Sequence, residues 1–418
     1  MRHSFISFPD KNALLQRYGG SHVDTLPTPS AIIDYGRFKD NCDKMITNAK
    51  RLQCHFRPHI KTHKTVEGTL LQLGDGFTDR AIVSTMAEAW GILPLLQNGT
   101  INTLLLSMPL VTSSIEELME YSVKCGSSNK LVILVDHITQ LDTLLALGGH
   151  LPWEIYVKID FGYHRAGLFN NTLSLRSVIS KIIDPTNMLL LYGFYTHAGQ
   201  SYLVANPHEA HKLLLQEIAS VNEAAAFAVE QFNYNTASNR PLQLSVGATP
   251  TAHASSMLAY SKLQIESDIN QKLYGELELH AGNYCCCDLQ QVATNCCATT
   301  VVAATVLAEI VSNYTDDGRY DQLINAGVLA LSRESGPYEG YGHLLSNHDW
   351  YVGKLSQEHG ILYPFGHKQQ MHQPFLPIGS KVRILPQHAC ITLACHPYYF
   401  VVDDKNIVID IWVPVKYW

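Results

Sequence analysis

From about Ser30 to Val246, short apolar runs alternate with longer amphipathic stretches, the pattern of a repeated strand and helix unit. The runs AIIDY (31–35), CHFRPHI (54–60), AIVST (81–85), NTLLLS (102–107), KLVILVD (130–136), WEIYVKID (153–160), LLLYGFYTHA (189–198) and LQLSV (242–246) each read as a strand. Eight such strands suit an α/β fold closed into a TIM-type (β/α)8 barrel. ELELHAG (276–282) is a ninth candidate, so one run must lie outside the barrel or be no strand at all. Beyond about Cys296 the pattern becomes β-rich, in TTVVAATVLAEIV, YDQLINAGVLALS, KVRILPQHACITLACH, YYFVVDD and NIVIDIWVPV, with turn residues between. The expected division is a barrel over residues 25–295 and a β-rich domain over 296–418 that also takes in 1–24. No low-complexity linker or internal repeat interrupts the chain, so the two parts are expected to pack tightly.

Composition narrows the function classes. At 418 residues the chain exceeds one ordinary core, and 46% hydrophobic against 16% charged residues argues against long disorder. A net charge of -7, with no Lys/Arg run longer than a pair, excludes a nucleic-acid stripe and a polybasic membrane patch. The amino terminus lacks a secretory apolar stretch, and no window reaches the roughly 18 apolar residues of a membrane span. A cytoplasmic protein is the expectation, in which ten cysteines read as buried thiols or metal ligands and not as a disulfide framework.

Polar residues at the carboxyl ends of barrel strands face the mouth where active sites form. Lys61 follows the second run, Asp160-Phe161-Gly162-Tyr163-His164-Arg165 ends the sixth, and Thr196-His197-Ala198-Gly199 ends the seventh. A lone lysine is most often solvated, but one leaving a buried strand is partly desolvated, and its lowered pKa lets it react with an aldehyde such as pyridoxal phosphate. Ser245–Thr251 follows the eighth run, and its small residues would let backbone N–H groups approach an anion. His388 and Cys390 are spaced i, i+2, which in an extended strand puts both on one face, as shared metal coordination requires. Spacing alone favours a buried, metal-free pair, since an isolated H-x-C is common. Cys285, Cys286 and Cys287 alternate faces in a strand and so read as core thiols, as do Cys296 and Cys297; Cys395-His396 is the rival metal pair. His59, His63 and His164 either line the rim or bond locally.

Together these segments resemble the fold-type III pyridoxal-phosphate enzymes, the alanine racemase-like superfamily, and within it the eukaryotic D-serine dehydratases, with the D-threonine aldolases as close relatives. RPHIKTHK (57–64) is similar to the cofactor-lysine motif, which makes Lys61 the cofactor-carrying and catalytic residue. IDFGYHRAG (159–167) resembles the strand-end motif whose arginine, here Arg165, contacts the cofactor's 3′-oxygen. HAGQSY (197–202) implies His197 as a cofactor-binding residue and Tyr202 near the pyridine ring, and GATPT (247–251) implies Gly247, Thr249 and Thr251 around the phosphate. ELHAGNYCCCDLQQ (278–291) implies Tyr284 and Asp288 near the site. PQHAC (386–390) resembles the dehydratase zinc motif, with His388 and Cys390 as ligands, where the aldolases carry an aspartate at the second place. The resemblance implies a homodimer and a carbon–nitrogen lyase that uses pyridoxal phosphate and zinc to eliminate pyruvate and ammonia from D-serine. Turnover of D-threonine stays open. The alternatives are an aldolase acting on 3-hydroxy-D-amino acids, which would release glycine, and a non-catalytic pyridoxal-phosphate carrier; Tyr284 as a second base keeps racemisation in view.

Overall fold

The computed structural model describes residues 7–126, 130–148, 151–234, 240–258, 261–316, 318–346, 349–366 and 374–416. They form two compact units: residues 43–282 with 415–416, and residues 7–42 with 283–414. The strands in chain order begin with β1 (Ser30–Asp34), β2 (His55–Pro58), β3 (Arg80–Val83), β4 (Thr103–Pro109) and β5 (Lys130–Val135). They continue with β6 (Trp153–Lys158), β7 (Leu189–Tyr195), β8 (Gln243–Val246) and β9 (Glu276–Ala281).

In the first unit β2 to β9 make one all-parallel sheet in the order β2-β9-β8-β7-β6-β5-β4-β3, and a parallel bridge between His59 and Ile82 draws its edges together. Strands buried on both faces need apolar residues at successive positions, as Ala81–Val83 and Ile155–Val157 show at 0% exposure. Ile82, Leu105, Val132, Leu134, Tyr156, Tyr192 and Tyr195 form an apolar cluster within the sheet.

A charged layer lies among these strands. Glu278 of β9, fully buried, accepts from Arg57 Nε at 2.9 Å, Arg80 Nη1 at 2.7 Å, the Tyr156 hydroxyl at 2.8 Å and Ser245 Oγ at 2.9 Å. Burial alone would raise this carboxyl's pKa, but the two guanidiniums hold it well below the usual carboxylate range. Removing one partner of a buried network leaves the others uncompensated, so Glu278→Gln should destabilise the fold by about 3–5 kcal/mol. Denaturant unfolding measures this, and a loss under about 1 kcal/mol would show that water screens the pair.

The second unit completes the list with β10 (Ala304–Tyr314), β11 (Asp321–Ile324), β12 (Gly342–Leu344), β13 (Trp350–Leu355), β14 (Gly360–Pro364), β15 (Lys381–Pro386), β16 (Tyr399–Val402) and β17 (Val408–Trp412). Antiparallel pairings run β10-β11-β14-β13-β12-β15 and back to β10, closing a ring that leaves none of the six as an open edge. Val306, Ile310, Trp350, Val352, Leu362 and Ile384 share its core. β10 also carries β1 antiparallel, and β1 carries β16 parallel. Ile32 of β1 packs with Leu307, Phe400 and Ile411 in a second apolar cluster.

Of the nine candidate strands, AIIDY is thus the one outside the barrel, while ELELHA sits between β2 and β8. Local pattern could not separate the two, because a doubly buried strand reads alike in either sheet. The division expected at 24/25 and 295/296 lies instead at 42/43 and 282/283. Among the described residues no helix is long and apolar enough to cross a membrane.

Candidate active site

Lys61 sits in the short 3-10 turn Ile60–Thr62 that follows β2, with its backbone N–H donating to His59 Nδ1 at 3.3 Å. Among the described residues no carboxylate pairs with its amine, whereas Lys64 Nζ is held by Glu88 Oε1 at 2.9 Å. Of the two lysines in RPHIKTHK, Lys61 has the amine available for chemistry. Gly282 leaves the approach open, since a Cβ there would come within 3.3 Å of His59 Cβ and 3.8 Å of Lys61 Cε.

Three imidazoles occupy this end of the barrel. His59 Nε2 lies 3.1 Å from Ser107 Oγ and 3.2 Å from Ser84 Oγ. His197 Nδ1 donates to the Gly247 carbonyl at 2.8 Å. His280 stacks on Tyr195 at 4.2 Å and 8°, with the His197 ring 6.3 Å away. Burial, reinforced by nearby cations including Lys61, holds His59 and His197 well below the ordinary histidine value. Burial also takes His280 down to about 3, against the pull of Glu278 and the Gly247 carbonyl. All three are neutral at pH 7.

Lys158, at the end of β6, places its amine 4.7 Å from the Tyr195 ring centre. Burial, ahead of repulsion by Arg165, pushes it down to about 8, while Asp136 and Asp160 resist. Asp160 builds the loop after β6, accepting from the backbone N–H groups of Gly162, Tyr163 and His164 at 2.8, 3.0 and 3.2 Å. Arg165 is exposed on this loop, its guanidinium 5.5 Å from the Tyr163 ring centre. Tyr202 is half-buried in the 3-10 turn Gly199–Leu203. His164 is exposed, and His63 is a core residue held by Gln72 and Thr65.

The loop after β8 needs its glycine. Gly247 has φ +144°, and a Cβ there would lie 2.0 Å from the His280 carbonyl oxygen. The helix Thr249–Ala254 starts directly behind it, so the Thr249 and Thr251 amides have no partner within that helix. The loop is pinned by Glu217, which accepts from Gly247 N at 3.1 Å and Ala198 N at 2.8 Å. Burial pushes this carboxyl up to about 7, against the Thr251 hydroxyl and the two amides.

The second unit carries the other predicted residues. His388 and Cys390 do not lie on a strand: β15 ends at Pro386, His388 caps the helix Ala389–Ala394, and Cys390 is in its first turn. The expected alternation of faces is therefore not what unites them. The extended backbone of the cap (φ -139°, ψ 105°) turns His388 back, and the two side chains hydrogen-bond to each other. Burial disfavours the charged imidazole, but Cys390, Asp288 and Glu334 together raise His388 to about 9. Asp288 braces this turn, accepting from Ala389 N at 2.8 Å, Gln291 N at 2.9 Å and Asn283 Nδ2 at 2.5 Å. Tyr284 is fully buried in the 3-10 turn Asn283–Cys285. Cys285, Cys286 and Cys287 are at 0% exposure, and Cys287 packs with Leu289, Val292, Val302 and Leu385. His396 Nε2 is paired with the Ala330 carbonyl at 2.9 Å, which argues against the rival pair.

Four polar residues at the barrel were not singled out from the sequence: Lys158, Glu217, Glu278 and His280. Each had a signal. Glu217 interrupts the buried stripe Ala210, Leu214, Ile218, Val221 of the helix Pro207–Phe232, and Glu278 and His280 share one face of a strand otherwise apolar inside.

Residues 33–259 match the family model for the alanine racemase N-terminal domain, and residues 303–402 match that for a putative serine dehydratase domain. The D-serine dehydratase of Schizosaccharomyces pombe is 40% identical over 98% of this chain and 96% of its own. That of Saccharomyces cerevisiae is 36% identical over 97% and 99%. Among solved structures, D-threo-3-hydroxyaspartate dehydratase from Delftia sp. HT23 superposes with a TM-score of 0.79 at 27% identity, covering 95% of this chain and 100% of that one. A cysteine-to-alanine mutant of that dehydratase, in the metal-free form, gives 0.80 at 27% identity over the same shares.

Proposed function

The chain belongs to the D-serine dehydratase family, and from that membership we propose that it eliminates pyruvate and ammonia from D-serine, with Lys61 as carrier of pyridoxal phosphate and as the base that removes the α-proton. The observation that carries this reading is the Lys61 amine, free of any carboxylate among the described residues, beside three imidazoles held neutral.

The residues fit the cofactor. Thr249 and Thr251 offer helix-terminal amides to a phosphate, and Gly247 keeps the loop clear of side-chain bulk. His197, with Tyr202 near it in sequence, would flank the pyridine ring, and Arg165 would reach its 3′-oxygen. Bound there, pyridoxal phosphate supplies an electron sink for negative charge at Cα. Lys61 is the proton-transfer group on one side of that carbon, so a single configuration of substrate presents its α-hydrogen correctly. L-serine should be inert.

A hydroxyl is a poor leaving group, and His388 with Cys390 offers the nitrogen and sulfur donors that zinc favours. The mutual hydrogen bond of the two side chains and the Asp288 brace support a preformed pair, and the metal-free form of the related mutant dehydratase supports a metal in the family. Zinc held there would draw charge from the departing oxygen. Two protein ligands leave coordination positions for substrate or water. The expected setting is a cytoplasmic homodimer.

Product analysis tests the reaction. D-serine should give pyruvate and ammonia in equal amounts, and D-threonine, if turned over, 2-oxobutyrate and ammonia. Glycine with an aldehyde would instead establish aldol cleavage, and no turnover of either would favour a cofactor carrier.

A further inference from the structure

The second lysine of RPHIKTHK, Lys64, stands in a backbone conformation that its residue type disfavours. Its φ is +54°, in the left-handed region, which a side chain with a Cβ enters only where its surroundings enforce it. Neighbouring groups supply that hold. The Lys64 backbone N–H donates to the Ile60 carbonyl at 2.8 Å, closing a turn around Lys61, and the Lys64 carbonyl accepts from Val415 N at 2.8 Å. The Lys64 amine is ion-paired with Glu88 Oε1 at 2.9 Å, and that carboxylate is fully buried.

Glu88 does more than start a helix. The helix Met86–Gln97 opens on Thr85, whose hydroxyl accepts from Glu88 N at 3.2 Å, the first half of a capping box. The reciprocal half occupies one carboxylate oxygen, and Glu88 gives Oε2 to the Ser84 N–H at 2.7 Å. Oε1 is left for Lys64. The same helix supports Lys64 a second time, because Gly91 makes room for Val415: a Cβ at 91 would lie 2.1 Å from Val415 Cγ2. Ser84 links this to the other end of the turn. Its hydroxyl is 3.2 Å from His59 Nε2, and His59 Nδ1 accepts from the Lys61 backbone N–H at 3.3 Å.

We propose that Lys64 and Glu88 are positioning residues for Lys61: their ion pair fixes the turn 60–64, and the turn fixes where the Lys61 amine is presented. This rests on the reading that Lys61 carries the cofactor and takes the α-proton. A flexible four-carbon stem reaches one place reproducibly only if its backbone is held. Proton transfer is sensitive to that place, since a displacement of about 1 Å costs on the order of 10²-fold in rate.

Glu88→Gln tests this, because the amide oxygen can still accept from Ser84 N while the anion that holds Lys64 is gone. In the loaded enzyme, kcat for D-serine per bound cofactor should fall about 10- to 100-fold with little change in KM. Lys64→Arg, which keeps the pair, should retain most of the wild-type kcat. Lys64→Met combined with Glu88→Gln buries no unpaired charge and should lose no more than Glu88→Gln alone, as two residues acting through one contact must. Hydrogen exchange in the full-length, cofactor-free chain should show faster exchange of residues 60–64 in Glu88→Gln, with the β-rich unit unchanged. An unchanged kcat per bound cofactor in Glu88→Gln, a Lys64→Arg variant as impaired as Glu88→Gln, multiplied losses in the double variant, or unaltered exchange of the turn would each overturn the proposal. Borohydride mapping of the wild type tests the function reading separately. A label away from Lys61 would remove that reading, while the exchange measurement would still show whether the pair orders the turn.

Discussion

Lys61→Ala is expected to lose turnover of D-serine by about 10⁴-fold or more, because one side chain supplies both the cofactor linkage and the base, and loss of a general base alone costs about 10²–10⁴-fold. The fold should be spared: Lys61 is only half-buried and pairs with no carboxylate among the described residues. Borohydride reduction of the wild type followed by peptide mapping should put the pyridoxyl group on the peptide containing Lys61. The informative rival is Lys158, whose amine is depressed to about 8 at the same end of the barrel. A label on Lys158, or on Lys64, would reassign the base and with it the face of the substrate that is attacked.

The second large effect concerns the metal pair. Chelation, or Cys390→Ala, should lower elimination from D-serine by about 10³-fold or more, since a Lewis acid at a departing oxygen contributes several kcal/mol and each 1.36 kcal/mol is tenfold in rate. The absorbance of the bound cofactor should survive, because Cys390 lies in a different compact unit from Lys61. β-Chloro-D-alanine separates leaving-group chemistry from architecture, as chloride departs without a Lewis acid. Its elimination should persist in zinc-free protein. Equal loss of both substrates with an intact cofactor spectrum would make the metal an organiser of the site, and full D-serine activity after verified zinc removal would take it out of the reaction.

What could be read from the chain follows a physical line. The places of Lys61, His197 and Gly247 just beyond barrel strands were legible, because a short apolar run closed by turn residues is a local signal. His388 and Cys390 pair by spacing in the sequence, yet the strand geometry expected for them does not hold: they meet through a helix cap. Glu217 and His280 were passed over because their meaning is non-local. Glu217 matters through amides at 198 and 247, and His280 through Ser245, and no window of sequence contains those partners. The same holds for β1, whose apolar pattern was clear and whose partners were not.

The place of β1 bears on how the chain is made. Residues 30–34 leave the ribosome early, but β10 begins at residue 304 and β16 at residue 399. At about 5–20 residues per second, β1 waits tens of seconds for a neighbour while the barrel strands emerge in turn. Throughout that interval an apolar segment with unpaired backbone is open to other nascent chains. A truncation ending at Gly282 would make the exposure permanent, so the barrel segment expressed alone should be recovered in soluble form only when residues up to 42 are also removed.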